Sequence, residues 1–103
     1  MFTIALIVCI AYSRGGVDVA NGYTDYHFSC FAQNGASFAV VEAYMPYGGI
    51  NSDAVTNLKF AKNRGFATDI SMSHCPAKNP SDQVNEMFNA IPSNLYDRVW
   101  IRV

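Results

Sequence analysis

From Gly16 onward, short β-branched and apolar runs alternate with stretches whose apolar residues recur every three to four positions. That alternation restricts the chain to βα units built on a parallel sheet. Gly16-Val17-Asp18-Val19 reads as the first strand. Thr24 or Asp25 can cap a helix that carries Phe28, Phe31 and Ala32 on one face, and Asn34-Gly35 stops it. Phe38 to Tyr44 is a nearly continuous apolar run, the pattern of a strand covered on both faces. After the break at Pro46-Tyr47-Gly48-Gly49, Ser52 or Asp53 caps a second helix with Val55, Leu58 and Ala61 facing inward, and Gly65 ends it. Phe66 to Met72 is the next strand. Asn79-Pro80 then starts a helix in which Val84, Met87, Phe88 and Ile91 form the apolar stripe, and a last strand begins near Arg98. The expected fold class is α/β: a partial (β/α) barrel of about four parallel strands alternating with three helices, or a small open sheet of the same elements.

The length of 103 residues fits one small domain, and the N-terminus divides from it in composition. Met1 to Ser13 has no charged side chain, a short apolar core from Ile4 to Ile10, and small residues at Ala11-Tyr12-Ser13. These are the marks of a secretory signal cut after Ser13, which leaves residues 14–103 as the domain and places it outside the cell or in the lumen of the secretory or lysosomal pathway. The alternative is a buried strand or an amphipathic leader. Cleavage removes Cys9 and leaves Cys30 and Cys75, an even pair in an oxidising compartment, for which a disulfide is the expectation. Such a bridge would constrain the unfolded chain by about 4 kcal/mol. The alternative is two buried free thiols.

Seven Lys and Arg against eight Asp and Glu leave the chain nearly neutral, without the basic run that tracks a phosphate backbone. Nucleic acid is not an expected partner, and no stretch after the signal is long enough to cross a bilayer. His74 and Cys75 provide too few ligands for a metal, and no cofactor motif is present. Tyr44, Tyr47 and Trp100 are candidate platforms for a sugar ring, although core packing is the simpler role for Trp100 in mid-strand. Glu42 and Asp69 join Asp18 in an acidic site if they face the barrel interior. If they face outward they are solvated or paired with Lys and Arg.

Several marks in their order resemble the Chalaropsis-type lysozymes, glycoside hydrolase family 25, and among them the secreted invertebrate branch seen in nematodes. They are Gly16-Val17-Asp18, the stretch Phe28-Ser29-Cys30-Phe31-Ala32-Gln33-Asn34-Gly35, and Phe38 to Tyr44. Thr68-Asp69-Ile70, Cys75-Pro76, Gln83 to Met87 and Val99-Trp100-Ile101 follow in sequence. The resemblance implies the N-terminal half of a secreted muramidase barrel that acts on bacterial peptidoglycan in defence or digestion. It also implies an aspartate at the end of the first strand, matched by Asp18, and an Asp-x-Glu pair on the fourth. Arg102 occupies the Asp position of that pair, and the Glu position falls beyond Val103.

Hydrolysis of a glycoside needs a protonated carboxyl for the leaving oxygen and a second group to stabilise or attack the oxocarbenium ion. Arginine stays protonated at any usable pH and exchanges no proton. The chain as given is therefore expected to be close to inactive, with peptidoglycan as its partner. The alternatives are a non-catalytic sugar-binding relative and a fragment without an independent role. Asp18 can hydrogen-bond sugar or cap the turn that follows it. A half barrel also leaves open sheet edges, from which self-association is expected.

Overall fold

The computed structural model describes residues 15–102, so the expected signal Met1–Ser13 lies outside the described residues. The elements follow one another as β1 (Gly16–Val19), α1 (Asp25–Gln33), β2 (Phe38–Met45), β3 (Gly49–Ile50), α2 (Ala54–Asn63), β4 (Ala67–Ser73), α3 (Pro80–Ala90), a single 3-10 turn (Ser93–Leu95) and β5 (Val99–Arg102). Strands β1, β2, β4 and β5 are parallel neighbours in that order, which is the expected partial α/β barrel arrangement. The short β3 is an addition to that expectation. It folds back antiparallel on the end of β2 through the turn around Gly48, whose φ of 91° a side chain would strain.

The strand order runs along the sheet without reversing, and this detail sets the rest of the architecture. Parallel crossovers are right-handed almost without exception, so a path that always steps the same way lays every helix on one face. A doubly wound sheet reverses direction at a switch point and covers both faces. No reversal occurs here. Val19, Ala39, Val41, Ala43, Ile70 and Met72 accordingly meet Phe28, Leu58, Ala61, Met87 and Ile91 in one buried cluster, while among the described residues no helix covers the opposite face of the sheet.

Local signals explain most element ends. His27 Nδ1 accepts from the Thr24 amide at 3.1 Å at the start of α1, and Gly35 and Gly65 follow α1 and α2 with φ of 96° and 81°. Asn79 caps α3, its side chain accepting from the amides of Ser81 and Asp82 ahead of Pro80 at the first turn.

The stripe of α3 is rotated from its expected position. Gln83 is fully buried beside Met87 and Ile91, whereas Phe88 is 48% exposed. Gln83 is held inside by its hydrogen bonds: Nε2 donates to the carbonyls of Cys75 and Lys78 at 2.9 and 3.0 Å, and Oε1 accepts from the Cys75 amide at 2.9 Å. One buried amide side chain thus satisfies three backbone groups of the β4–α3 loop, which an apolar residue could not do. The same loop overturns the expected Cys30–Cys75 bridge. Cys75 is a free, buried thiol that faces the Gly48 turn.

Candidate functional site

Along β2, Ala39 and Val41 point to the helices, and Val40 and Glu42 therefore point to the open face. Simple alternation would place Tyr44 beside Glu42. It does not, because the pairing with β4 slips between Glu42 and Tyr44, where β2 carries one extra residue. This bulge reverses the alternation and turns Tyr44 to the buried side. The ring is 0% exposed. Its hydroxyl donates to Glu86 Oε1 at 2.7 Å and accepts from Lys78 Nζ at 3.1 Å. Tyr44 is thus an anchor between β2 and α3, and the expected sugar platform at this position is corrected: a stacking ring needs a free face.

The charges around Tyr44 lock one another. Burial pushes the phenol up, and the carboxylate of Glu86 adds to that effect. The hydrogen bond from Tyr44, followed by that from Lys78, holds Glu86 below the usual carboxylate range. Lys78 is raised by Tyr44 and Glu86 and also donates to the Gly48 carbonyl at 2.9 Å. The network ties α3 to the turn before β3.

On the open face, four polar side chains converge toward the C-terminal ends of the strands. Arg102, last in β5, donates from Nη2 to Asp18 Oδ2 of β1 at 2.5 Å. Ser73, last in β4, donates from Oγ to Glu42 Oε2 of β2 at 2.8 Å. The Asp18 hydrogen bond and then its charge raise Arg102 above the ordinary guanidinium range, and the charge of Glu42 contributes further. Arg102 and Asp18 lie at opposite ends of the strand path, three intervals or about 14 Å apart on a flat sheet. The long arginine arm and the twist of the sheet close that gap.

Ser71 sits on the same face, two residues before Ser73, and its buried hydroxyl has no hydrogen-bond partner among the described residues. Ser71 and Ser73 stand in no recognisable site motif of the sequence. Both were within reach, because they continue from Asp69 at the two-residue period of a strand.

Asp69 shares the face but serves another purpose. Its Oδ1 accepts from the Arg98 amide at 3.0 Å, just ahead of β5, and its Oδ2 from the Trp100 indole of β5 at 2.9 Å, so both oxygens are committed. Trp100, for which core packing was the simpler expectation, is instead 51% exposed. The indole has a fixed orientation through Asp69 and an accessible face. With Phe38, Val40, Ala67, Asp97 and Arg98 it lines a shallow pocket on the open side of the sheet. Phe38 lies across Gly16, where any Cβ would collide with its ring. His74 borders a separate groove with Met72, Val84 and Ile101.

The cluster of Asp18, Glu42, Ser73 and Arg102 offers donors and acceptors suited to sugar hydroxyls. Glu42 is its one carboxylate outside the Arg102 ion pair, and the guanidinium supplies charge without proton exchange.

The family model for Lysozyme-like protein 1 (Lys-1) matches residues 10–103. The chain is also similar to Probable GH family 25 lysozyme 5 of Dictyostelium discoideum, 30% identical over 99 residues, which cover 94% of this chain and 46% of that protein. Probable GH family 25 lysozyme 4 of the same organism is 27% identical over 92 residues, or 85% of this chain and 43% of that protein. The chain therefore spans less than half the length of these curated relatives. No solved structure matches it significantly.

Proposed function

Because the chain belongs to the Lysozyme-like protein 1 family, we propose that it engages bacterial cell-wall peptidoglycan through the open face of its sheet and hydrolyses it weakly or not at all. The observation that carries this reading is the ion pair between Arg102 and Asp18. It puts a permanent cation at the position where the resemblance to family 25 expects a catalytic carboxylate. Losing a general acid or base costs about 10²- to 10⁴-fold in rate. Glu42 and Ser73 remain as hydrogen-bonding groups for sugar, and the oriented Trp100 indole supplies a flat apolar surface for a ring.

The leader Met1–Ser13 supports a secreted or luminal protein, and the family supports a role in defence against bacteria or in their digestion. The test pairs a pull-down on insoluble peptidoglycan with a turbidity assay on bacterial walls. Retention on the polymer without clearing is the expected result, and retention weakens in Glu42→Ala and Trp100→Ala. Clearing at the pace of an intact family 25 lysozyme overturns the loss of hydrolysis, and no retention overturns the binding.

A further inference from the structure

The parallel register of β1 and β2 runs from Gly16 and Phe38 to Val19 and Val41. One step further on, Ala20 and Glu42 turn their carbonyls to a third segment, the short stretch between β3 and α2. Both accept from Nδ2 of Asn51, each at 2.8 Å. Asn51 is 6% exposed, and its other polar atoms are engaged as well: Oδ1 accepts from the Asp53 amide at 3.0 Å, and its backbone amide donates to the Ala43 carbonyl at 2.8 Å. A single buried residue therefore joins the end of β1, the bulge of β2 and the turn into α2.

This bonding answers a need created by the bulge. An extra residue disrupts the ladder, so backbone groups there take partners from outside it, and the Glu42 and Ala43 carbonyls take theirs from Asn51. A primary amide carries two N–H bonds, one here for each strand, whereas serine donates once and an ionised aspartate not at all. The backbone around a residue sets the direction of its Cα–Cβ bond. Holding the peptide after Glu42 thus keeps its carboxylate on the open face, where it accepts from Ser73 Oγ at 2.8 Å. The bond to Ala20, two residues past Asp18, keeps β1 beside β2 at the same level. We propose that Asn51 is a positioning residue of the candidate site, fixing the Glu42 and Asp18 carboxylates relative to each other from behind. This role rests on the peptidoglycan reading for what the carboxylates bind, and on the hydrogen bonds alone for how they are held. Asn57 offers an internal comparison. It is fully buried in α2, and its side chain bonds the Asn21 carbonyl at 2.8 Å and the Tyr23 amide at 3.0 Å, which pins the β1–α1 loop instead of the bulge.

The test combines retention on insoluble peptidoglycan with NMR of the 103-residue chain carrying carbon-13 at its glutamate carboxyls. Asn51→Ser, which leaves one donor for two carbonyls, should weaken retention about tenfold in the parent and by less than about twofold in Glu42→Ala, because residues that act through one another are not additive. It should also move the Glu42 carboxyl resonance. Asn57→Ser should leave that resonance and retention at parent values even where it lowers the melting temperature as much. Retention that does not weaken, or that weakens equally with and without Glu42, overturns the role, as does an unmoved Glu42 resonance. If the parent chain itself is not retained, the peptidoglycan reading fails, and the carboxyl resonance alone decides the role of Asn51. Where Asn51→Ser does not fold, Asn51→Gln keeps both donors on a longer arm, and the same resonance moves if the role holds and stays if it does not.

Discussion

The two faces of one sheet have been built by different rules. On the helix side, Val19, Ala39, Val41, Ala43 and Ile70 are closed over by Phe28, Leu58 and Met87, and small residues alternate with large so that the layers interlock. On the other side, Phe38, Val40, Glu42, Asp69, Trp100 and Arg102 mix aromatic rings with charge, and among the described residues no helix lies above them. A face that needs only to exclude water is apolar throughout. The open face instead carries oriented polar groups, Ser73 on Glu42 and Trp100 on Asp69, which the stability of a core does not require.

That contrast yields testable expectations. The largest effect belongs to the helix side. Ile70→Ala should destabilise the fold by about 2–5 kcal/mol by chemical denaturation, through lost transfer energy and a residual cavity. A loss below about 1 kcal/mol would break the claim that this face holds the chain together. Gln83→Ala comes next, at about 1–3 kcal/mol, because it strands the Cys75 amide and two carbonyls inside the loop. If Gln83→Leu is as stable as the parent, the buried amide is not what fixes the loop.

Acid should act more gently. Asp25 is held below the usual carboxylate range by its hydrogen bond and ion pair with Arg64, and Glu86 by those with Tyr44 and Lys78. Folded-state values below the unfolded ones mean that stability is fully present above the ordinary carboxylate range and drains away as the pH falls below about 4. Both groups are solvent-screened, so the melting temperature should drop only modestly across that interval, and less still for Asp25→Asn with Glu86→Gln. The smallest effect is expected at Phe88→Ser, within about 0.5 kcal/mol of the parent, since that ring lies outside the core. A larger cost would show that the helix-covered region extends around α3.

Legibility from sequence followed the range of the physics. Helix starts at Thr24 and Asn79 and stops at Gly35 and Gly65 were readable because capping and left-handed backbone are decided within a few residues. The strands were readable from their β-branched runs, whereas their sequential order along the sheet is a feature of the folded structure, since alternation alone also fits an open sheet. Tyr44 was misplaced because a bulge is a property of pairing between two strands and leaves no mark on either alone. Phe88 and Gln83 exchanged expected environments for a related reason. A helical stripe shows which residues share a side, and the loop packed against α3 decided where that side was centred.

The cysteines carry the same lesson. An even pair and an oxidising destination do not bring two sulfurs together, and the β4–α3 loop keeps Cys75 as a buried thiol. Within the candidate site, Asp18 and Arg102 were marked by the resemblance to family 25 and Glu42 by its place on a strand, whereas their convergence is a product of the folded sheet.

By itself, the sequence determined the parallel α/β architecture, most helix ends and the cation at Arg102, since local backbone preferences, periodicity and side-chain chemistry are written residue by residue. Tertiary structure alone decided which face of the sheet stays open, that Arg102 reaches across it to Asp18, and that Tyr44 is turned inward. Those outcomes depend on the handedness of crossovers, the register of neighbouring strands and the twist of the sheet, all of which come into being only when distant segments meet.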